Sequence, residues 1–310
     1  MTCCVAALCD KGKSIVLVSD KMIGTGMIES EPEISKVLWL HRNWRVMLAG
    51  DDIAPAFPIV EAAKRDLSKL KTAPTLRQVT DAIYKSYGAE RQRQSEAIYL
   101  APRGWTLEEF NSAKASILPE SLREELGVKL AARKVEVSLL IAGFDSRGRG
   151  HIFSVDDYEE RGKPRIQDLP GYHSIGSGST AAIYFMAYRE VSSVMPLRLA
   201  LYYAVEGKYF GERAGGVGTK TDVLIIRFGK KAFKINEKVL EDNLFTLCSK
   251  LEPREIRESH VRVLNNLPSK SLASADKLKL VKEDGEWVIR AEGEAATLTR
   301  SSSRKATNPK

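Results

Sequence analysis

The 310-residue chain has few cysteines and histidines, the side chains that most often bind metal ions or, for cysteine, form disulfides. It has four cysteines, and none of them shows the C-x-x-C spacing of a zinc or redox motif. The four histidines share no metal-ligand spacing. We therefore expect neither a metal site nor another cofactor. So few cysteines also argue against a disulfide scaffold and favour a reducing, cytoplasmic location.

Long apolar runs are missing as well. Even the most apolar stretch, Val135 to Phe144, is short and contains the charged residue Glu136. A membrane-spanning helix needs about 18 consecutive apolar residues. The first twenty residues contain several charges, and no basic region precedes the short apolar run at residues 3–9. A secretory signal is therefore not expected, and neither is a membrane partner.

The net charge of +8 is unevenly distributed. Half of it falls in residues 300–310, a Ser-rich segment with four basic residues and no acid. This segment has too little apolar surface to fold, so we expect a disordered basic tail at residues 299–310. Because a nucleic-acid surface needs a basic stripe on a folded face, nucleic acid is not an expected partner.

The pattern of apolar runs predicts hairpins followed by helix pairs. Such an order, without alternating strands and helices, predicts an α+β fold: a four-layer αββα sandwich of two antiparallel sheets flanked by helix pairs. We expect a main domain at 2–235, with a helical insertion at about 101–134, and an appendage at 236–298. The predicted elements are strands at 2–9, 14–19, 36–40, 44–49, 135–144, 151–155, 173–175 and 222–228, helices at 59–70, from 75, 180–191 and from 196 to 212, a turn at His41-Arg42-Asn43, and a hairpin across Asp284-Gly285.

Several nucleotide-binding motifs almost match. Gly176 to Ala181 satisfies G-x-G-x-x-A, but no second strand follows the helix, as a dinucleotide fold requires. Residues 215–221 and 7–14 resemble phosphate loops but lack a required glycine or the following helix. We interpret all three segments as turns.

A different set of residues predicts chemistry at the beginning of the chain. Removal of the initiator Met before a small residue is expected to leave Thr2 as the N-terminus. A terminal threonine combines a hydroxyl nucleophile with an amine of reference pKa about 8. Such a residue needs a nearby cation, a carboxylate that holds the cation, and an N–H donor for the oxyanion. The candidates are Lys36, which opens a predicted strand, and Asp20 and Gly50, which each close one.

Several short segments together carry a resemblance to a known family: Thr2 at the start of a strand, Val18-Ser19-Asp20, Ile34-Ser35-Lys36-Val37, Leu48-Ala49-Gly50, and Ile175-Gly176-Ser177-Gly178-Ser179 before an apolar helix. They are similar to the proteasome β-subunit family of N-terminal nucleophile (Ntn) hydrolases, over about residues 2–230. By this resemblance Thr2 is the nucleophile and its amine the base. It further implies roles for the rest: Lys36 and Asp20 as polarising pair, Gly50 as oxyanion donor, and Ser177 as a hydroxyl near the amine.

The chain also departs from the family pattern. Met22 stands where the family often has an arginine, and in the 212–216 segment only a shifted Glu212 could supply the family's acidic residue. Together with the insertion and the appendage, these departures suggest a divergent bacterial-type member.

The resemblance implies a threonine-type endopeptidase that cleaves peptide bonds through an acyl-enzyme on Thr2, within an oligomeric proteasome-like assembly. Its partners would be a peptide or unfolded-protein substrate, further copies of the chain, and in some such assemblies an ATPase unfoldase. Two alternatives stay open: a catalytically inactive assembly subunit, in which Asp20 and Lys36 form an ordinary ion pair, and an Ntn amidase acting on a small amide. Cys3 and Cys4 are interpreted as buried strand residues, not as nucleophiles.

Overall fold

The chain divides into two compact units, Met1–Leu240 and Glu241–Lys310. A computed structural model describes residues 2–24, 29–31, 35–112, 116–157, 162–235, 278–283 and 286–291. In the second unit it describes an antiparallel hairpin of β13 (Leu278–Glu283) and β14 (Glu286–Ala291), which confirms the hairpin predicted around residues 284–285. The predicted basic tail lies outside the described residues.

The first sheet of the larger unit contains the beginning of the chain. Its antiparallel strands follow the order β10-β1-β2-β11-β12. The β1–β2 hairpin brings Cys4 opposite Ser19, and β11 continues the sheet with Thr221 opposite Asp20. The strands are β1 (Cys4–Cys9), β2 (Ser14–Asp20), β10 (Tyr172–Ile175), β11 (Thr221–Arg227) and β12 (Phe233–Ile235).

The second sheet has five strands in the order of the chain, β5-β6-β7-β8-β9. The expected turn at His41 is wrong by one residue, because His41 ends β5 and pairs with Trp44. The connection is Arg42-Asn43, and Arg42 adopts the positive φ of 47° that short hairpin turns require. The strands are β5 (Val37–His41), β6 (Trp44–Gly50), β7 (Val137–Phe144), β8 (Gly150–Val155) and β9 (Arg165–Ile166); β3 (Ile23–Gly24) and β4 (Glu29–Ser30) form a separate short pair.

Apolar side chains of both sheets meet in one core. In β1, Cys4, Ala6 and Leu8 face this core, where they join residues of β6 and β7 such as Met47 and Leu140. The alternate residues of β1 are buried too, because α5 (Ser179–Tyr188) and α6 (Leu197–Gly211) pack on the other side of the first sheet. Burial on both faces explains why β1 shows no polar alternation.

A second core lies on the far side of the second sheet, under α1 (Ala56–Ser68) and α2 (Leu76–Ser95). The helix predicted from Thr75 is confirmed, since Thr75 and Gln78 form a capping box at its start. The start predicted for α1, after Pro58, is wrong. The helix begins at Ala56, so Pro58 is its third residue. Proline is tolerated there because the N–H groups of the first helical turn have no acceptor within the helix, and the missing N–H of proline therefore breaks no helical hydrogen bond.

The layers therefore follow the order helix pair, sheet, sheet, helix pair. The predicted α+β class with two antiparallel sheets is confirmed, and the layers are consistent with a sandwich. The predicted insertion contains helical segments: a 3-10 turn at Ala101–Arg103, α3 (Leu107–Phe110) and α4 (Glu120–Ala132). It follows a π-helical turn at Glu96–Leu100.

A histidine links two connections of the second sheet. The ring of His151 stacks on Trp44, and its Nδ1 lies 2.6 Å from Asp168 Oδ2. Asp145 Oδ2 lies 3.4 Å from its Nε2. Burial acts to lower the pKa of His151, but the two carboxylates outweigh it and the pKa is raised.

Candidate active site

Three of the predicted site residues meet at one end of the two sheets. Lys36 Nζ donates hydrogen bonds to Thr2 Oγ1 at 2.6 Å and to Asp20 Oδ2 at 2.9 Å. Thr2 is 2% exposed, Lys36 3% and Asp20 0%. At such burial an ammonium needs a partner charge, which Asp20 provides, while its remaining N–H groups can act on the threonine oxygen.

The fold brings these side chains together from opposite sheets. Thr2 precedes β1 and continues the alternation of Cys4 and Ala6, which face the core between the sheets. Asp20 ends β2, on the strand paired with β1. Lys36 directly precedes β5 of the second sheet, so its side chain crosses the gap between the sheets to reach Thr2.

Asp20 is held by backbone groups on two sides. Its Oδ1 accepts from Cys3 N at 2.9 Å, and its Oδ2 accepts from Met22 N at 3.0 Å and from Gly218 N at 3.3 Å. Since Oδ2 is also the atom bonded to Lys36, the backbone fixes the carboxylate at the orientation that the lysine uses. Met22 thus contributes its N–H at the position where the family that the sequence resembles often has an arginine.

Ser177 lies beside the nitrogen of Thr2. Thr2 N donates to Ser177 Oγ at 3.2 Å, and Gly178 N donates to the Thr2 carbonyl at 3.1 Å. This close approach requires Gly176, whose φ is +96° and where an added Cβ would lie 2.7 Å from the Thr2 carbonyl carbon. The glycine segment noted in the sequence is therefore a turn that brings Ser177 to Thr2.

Gly50 forms none of the hydrogen bonds described above. It ends β6 opposite Val137, and an added Cβ would lie 2.8 Å from the Glu136 carbonyl. Cys4 Sγ donates to the Leu48 carbonyl at 3.6 Å. Because Gly50 is two residues beyond Leu48 and Thr2 two residues before Cys4, both lie toward the same end of the sheets.

Glu212, which the sequence offered as a shifted match to the acidic residue of the family pattern, is paired with Lys208. The two side chains meet between Glu212 Oε1 and Lys208 Nζ, four residues earlier on α6. Burial raises the pKa of Glu212, and the Lys208 ammonium opposes this shift. Gly218 and Lys208 are not among the residues that the sequence predicts for the site; the glycine cluster at 215–218 is the feature that could have indicated a close backbone approach.

The cysteines next to Thr2 are buried, as predicted. Cys3 and Cys4 are fully buried. Burial raises the pKa of Cys3 to about 12 and that of Cys4 well above its usual value. Because the thiolate is the nucleophilic form, neither cysteine is suited to attack a substrate.

The comparisons with known proteins leave this geometry as the main guide to function. The chain matches no protein-family model, and no curated protein matches it significantly. Within the described residues, no cluster of three or more His, Cys, Asp or Glu side chains could hold a metal ion. Nor is any helix in the described part of the chain both long and apolar enough to cross a membrane.

Proposed function

We propose that the chain is an N-terminal threonine hydrolase of the proteasome β-subunit-like family, which cleaves peptide bonds through an acyl-enzyme on Thr2. The observation that carries this proposal is that the ammonium of Lys36 donates hydrogen bonds both to Thr2 Oγ1 and to the buried carboxylate of Asp20. An ordinary strand-end ion pair has no need of a buried hydroxyl on the same ammonium. A nucleophile does, because the cation stabilises negative charge that develops on its oxygen.

The chemistry requires Thr2 to be terminal, which removal of Met1 would accomplish. The free amine accepts the proton of Oγ1 while Oγ1 forms a bond to the substrate carbonyl carbon. The carbonyl electron pair moves onto its oxygen, where the N–H of Gly50 is the proposed donor. As this intermediate collapses, the C–N bond breaks, and the ammonium of Thr2 returns its proton to the leaving amine.

The ester on Thr2 is then hydrolysed in the same way. Water attacks the ester carbonyl while the amine accepts a proton from the water, and Oγ1 leaves with that proton. Ser177, which is bonded to the Thr2 nitrogen, orients the amine during both steps. We further propose a peptide or unfolded protein as substrate and a homo-oligomer as active form, which the family resemblance supports.

Covalent labelling tests the proposal. The intact mass of the purified full chain is measured before and after treatment with a peptide epoxyketone, which reacts with both the hydroxyl and the amine of a terminal threonine. We expect loss of Met1 and one adduct, located at Thr2 by fragmentation. Thr2→Ala should form no adduct, whereas Thr80→Ala, a control on α2, should be labelled like the wild type.

Hydrolysis assays separate the two alternatives. Fluorogenic peptides and small amides are compared as substrates, since an Ntn amidase would form the adduct but hydrolyse only the small amides. A chain that keeps Met1, or whose free Thr2 neither reacts nor hydrolyses either class, would contradict the proposal. That result would favour the inactive assembly subunit.

A further inference from the structure

Lys208 is a buried lysine that the proposed reaction does not use. It lies on α6 and is completely buried. Its ammonium is surrounded by oxygens: the carbonyls of Gly218 at 2.8 Å, Thr219 at 3.0 Å and Lys220 at 3.3 Å, Thr221 Oγ1 at 2.9 Å, and the carboxylate of Glu212.

This shell of protein oxygens is unusual, because the ammonium of a lysine is normally surrounded by water. An ammonium has three N–H donors, yet five oxygens converge on it, so the arrangement resembles the oxygen shell of a bound cation. Four of these oxygens belong to consecutive residues, 218–221. Carbonyl dipoles that converge on one point repel one another, and here the Lys208 ammonium supplies the positive charge that compensates them.

The segment that Lys208 gathers is the one that reaches Asp20. The carbonyl of Gly218 accepts from Lys208, and the N–H of the same residue donates to Asp20 Oδ2 at 3.3 Å. The segment packs tightly there, since a Cβ on Gly218 would lie 2.7 Å from Met22 Cβ. On its other side, Lys220 N donates to Glu31 Oε1 at 3.1 Å.

We propose that Lys208 is a positioning residue of the Thr2 site, because its ammonium is a built-in cation around which residues 218–221 fold. This fold holds the N–H of Gly218 in its hydrogen bond to Asp20. Asp20 in turn keeps the ammonium of Lys36 in its hydrogen bond to Thr2 Oγ1. The last link rests on the proposed hydrolase function. The folding of residues 218–221 around the ammonium does not depend on that function.

Chemical rescue tests the role of the ammonium. Lys208→Ala removes three carbons and the nitrogen, which are the heavy atoms of n-propylammonium; 1-propanol has the same size without the charge. We expect kcat for peptide hydrolysis to fall about 100-fold, because a displaced catalytic group costs roughly that much, while KM stays within about twofold. n-Propylammonium should restore kcat at least about tenfold, and 1-propanol should not.

Two further variants serve as controls. Lys230→Met, at an exposed lysine outside the site, should keep wild-type kcat. Lys208→Met keeps an apolar stem but fills the space, so it should lose kcat and should not respond to n-propylammonium. Wild-type kcat in Lys208→Met, or equal rescue of Lys208→Ala by amine and alcohol, would overturn the inference. If Lys208→Ala does not fold, refolding with n-propylammonium decides: recovery supports the cation role, and failure overturns it.

Thermal unfolding provides a readout that needs no hydrolysis. n-Propylammonium should raise the Tm of Lys208→Ala and leave the wild type unchanged, because it binds only the vacated shell. If Tm recovers but kcat does not, the link from Lys208 to the Thr2 site is overturned. If the wild type neither hydrolyses peptides nor takes the probe, the proposed function fails, and the Tm result still decides the role of the ammonium in the fold.

Discussion

Replacing Lys36 with methionine should destabilise the larger unit strongly, because it leaves the carboxylate of Asp20 buried without its ion partner. Asp20 is 0% exposed and cannot turn toward water without moving β2. Removing one partner of a buried ion pair costs about 3–5 kcal/mol. We expect the lower end, about 3 kcal/mol, because Asp20 keeps three backbone N–H donors, from Cys3, Met22 and Gly218.

The assay is urea unfolding followed by circular dichroism, with the Tm as a second measurement. For a unit of this size, about 3 kcal/mol corresponds to a Tm lower by roughly 6–12 °C. The matched control is Lys85→Met, which breaks an ion pair with Asp66 at 3.2 Å whose lysine side chain is 76% exposed. Exposed pairs contribute little, so this variant should show no measurable change.

A double variant identifies the cause. Lys36→Met together with Asp20→Asn removes both charges, and its cost should be at least about 1 kcal/mol smaller than the sum of the single costs. Strict additivity would refute the reasoning, and so would a Lys36→Met variant as stable as Lys85→Met. Either result would mean that Asp20 and Lys36 do not depend on each other for burial.

Three other predictions concern the surroundings of the site. Gly211→Ala should lower the free energy of unfolding, measured by urea titration, by about 1–3 kcal/mol, because its Cβ would lie 2.7 Å from Cys3 Sγ. Gly207→Ala on the same helix is the control. Its Cβ would have neighbours no closer than 3.5 Å, so this variant should be neutral or stabilising. Iodoacetamide should leave Cys3 unmodified in the native protein, because burial raises the pKa of its thiol to about 12. Peptide mapping that finds Cys3 alkylated in the native protein would contradict this prediction. The variant Cys3→Ala should still form the epoxyketone adduct at Thr2. The raised pKa of His151 means that its stabilising contribution is complete below about pH 6.5 and is lost as the pH rises through the folded-state pKa. The stability difference between the wild type and His151→Gln should therefore shrink from about pH 5.5 to about pH 8.5 in urea titrations, and a growing difference would contradict the assignment of its carboxylate partners.

The parts of the fold that the sequence predicts are those with local causes. The capping box at Thr75 joins residues three positions apart, so it can be recognised without knowledge of the fold. The hairpins are set by apolar strands and short turns, and the error at His41 is a single residue of turn length. The start of α1 was misplaced because a proline is compatible with several positions of a first helical turn.

The candidate site divides in the same way. Thr2, Asp20, Lys36 and Ser177 have side chains that suit the chemistry, and their spacing resembles a known family. Gly218 contributes a backbone N–H, which every residue type except proline has, so the glycine can indicate a close backbone approach but not that its N–H contacts Asp20. Lys208 looks like an ordinary solvent-facing lysine of α6, although the run of buried residues before it is a hint that this helix has little exposed surface.

By itself, then, the sequence determines the main strands, the hairpin turns to within a residue, the start of α2 and the types of side chain available near Thr2, because each depends on neighbours along the chain. The tertiary structure decides which distant groups meet: Ser177 and Thr2 are 175 positions apart, and Gly218 and Asp20 are 198 apart. It also decides that Lys208 has carbonyl oxygens around its ammonium in place of water. These contacts form only when the helices and both sheets pack, since packing removes the water that would otherwise satisfy each polar group.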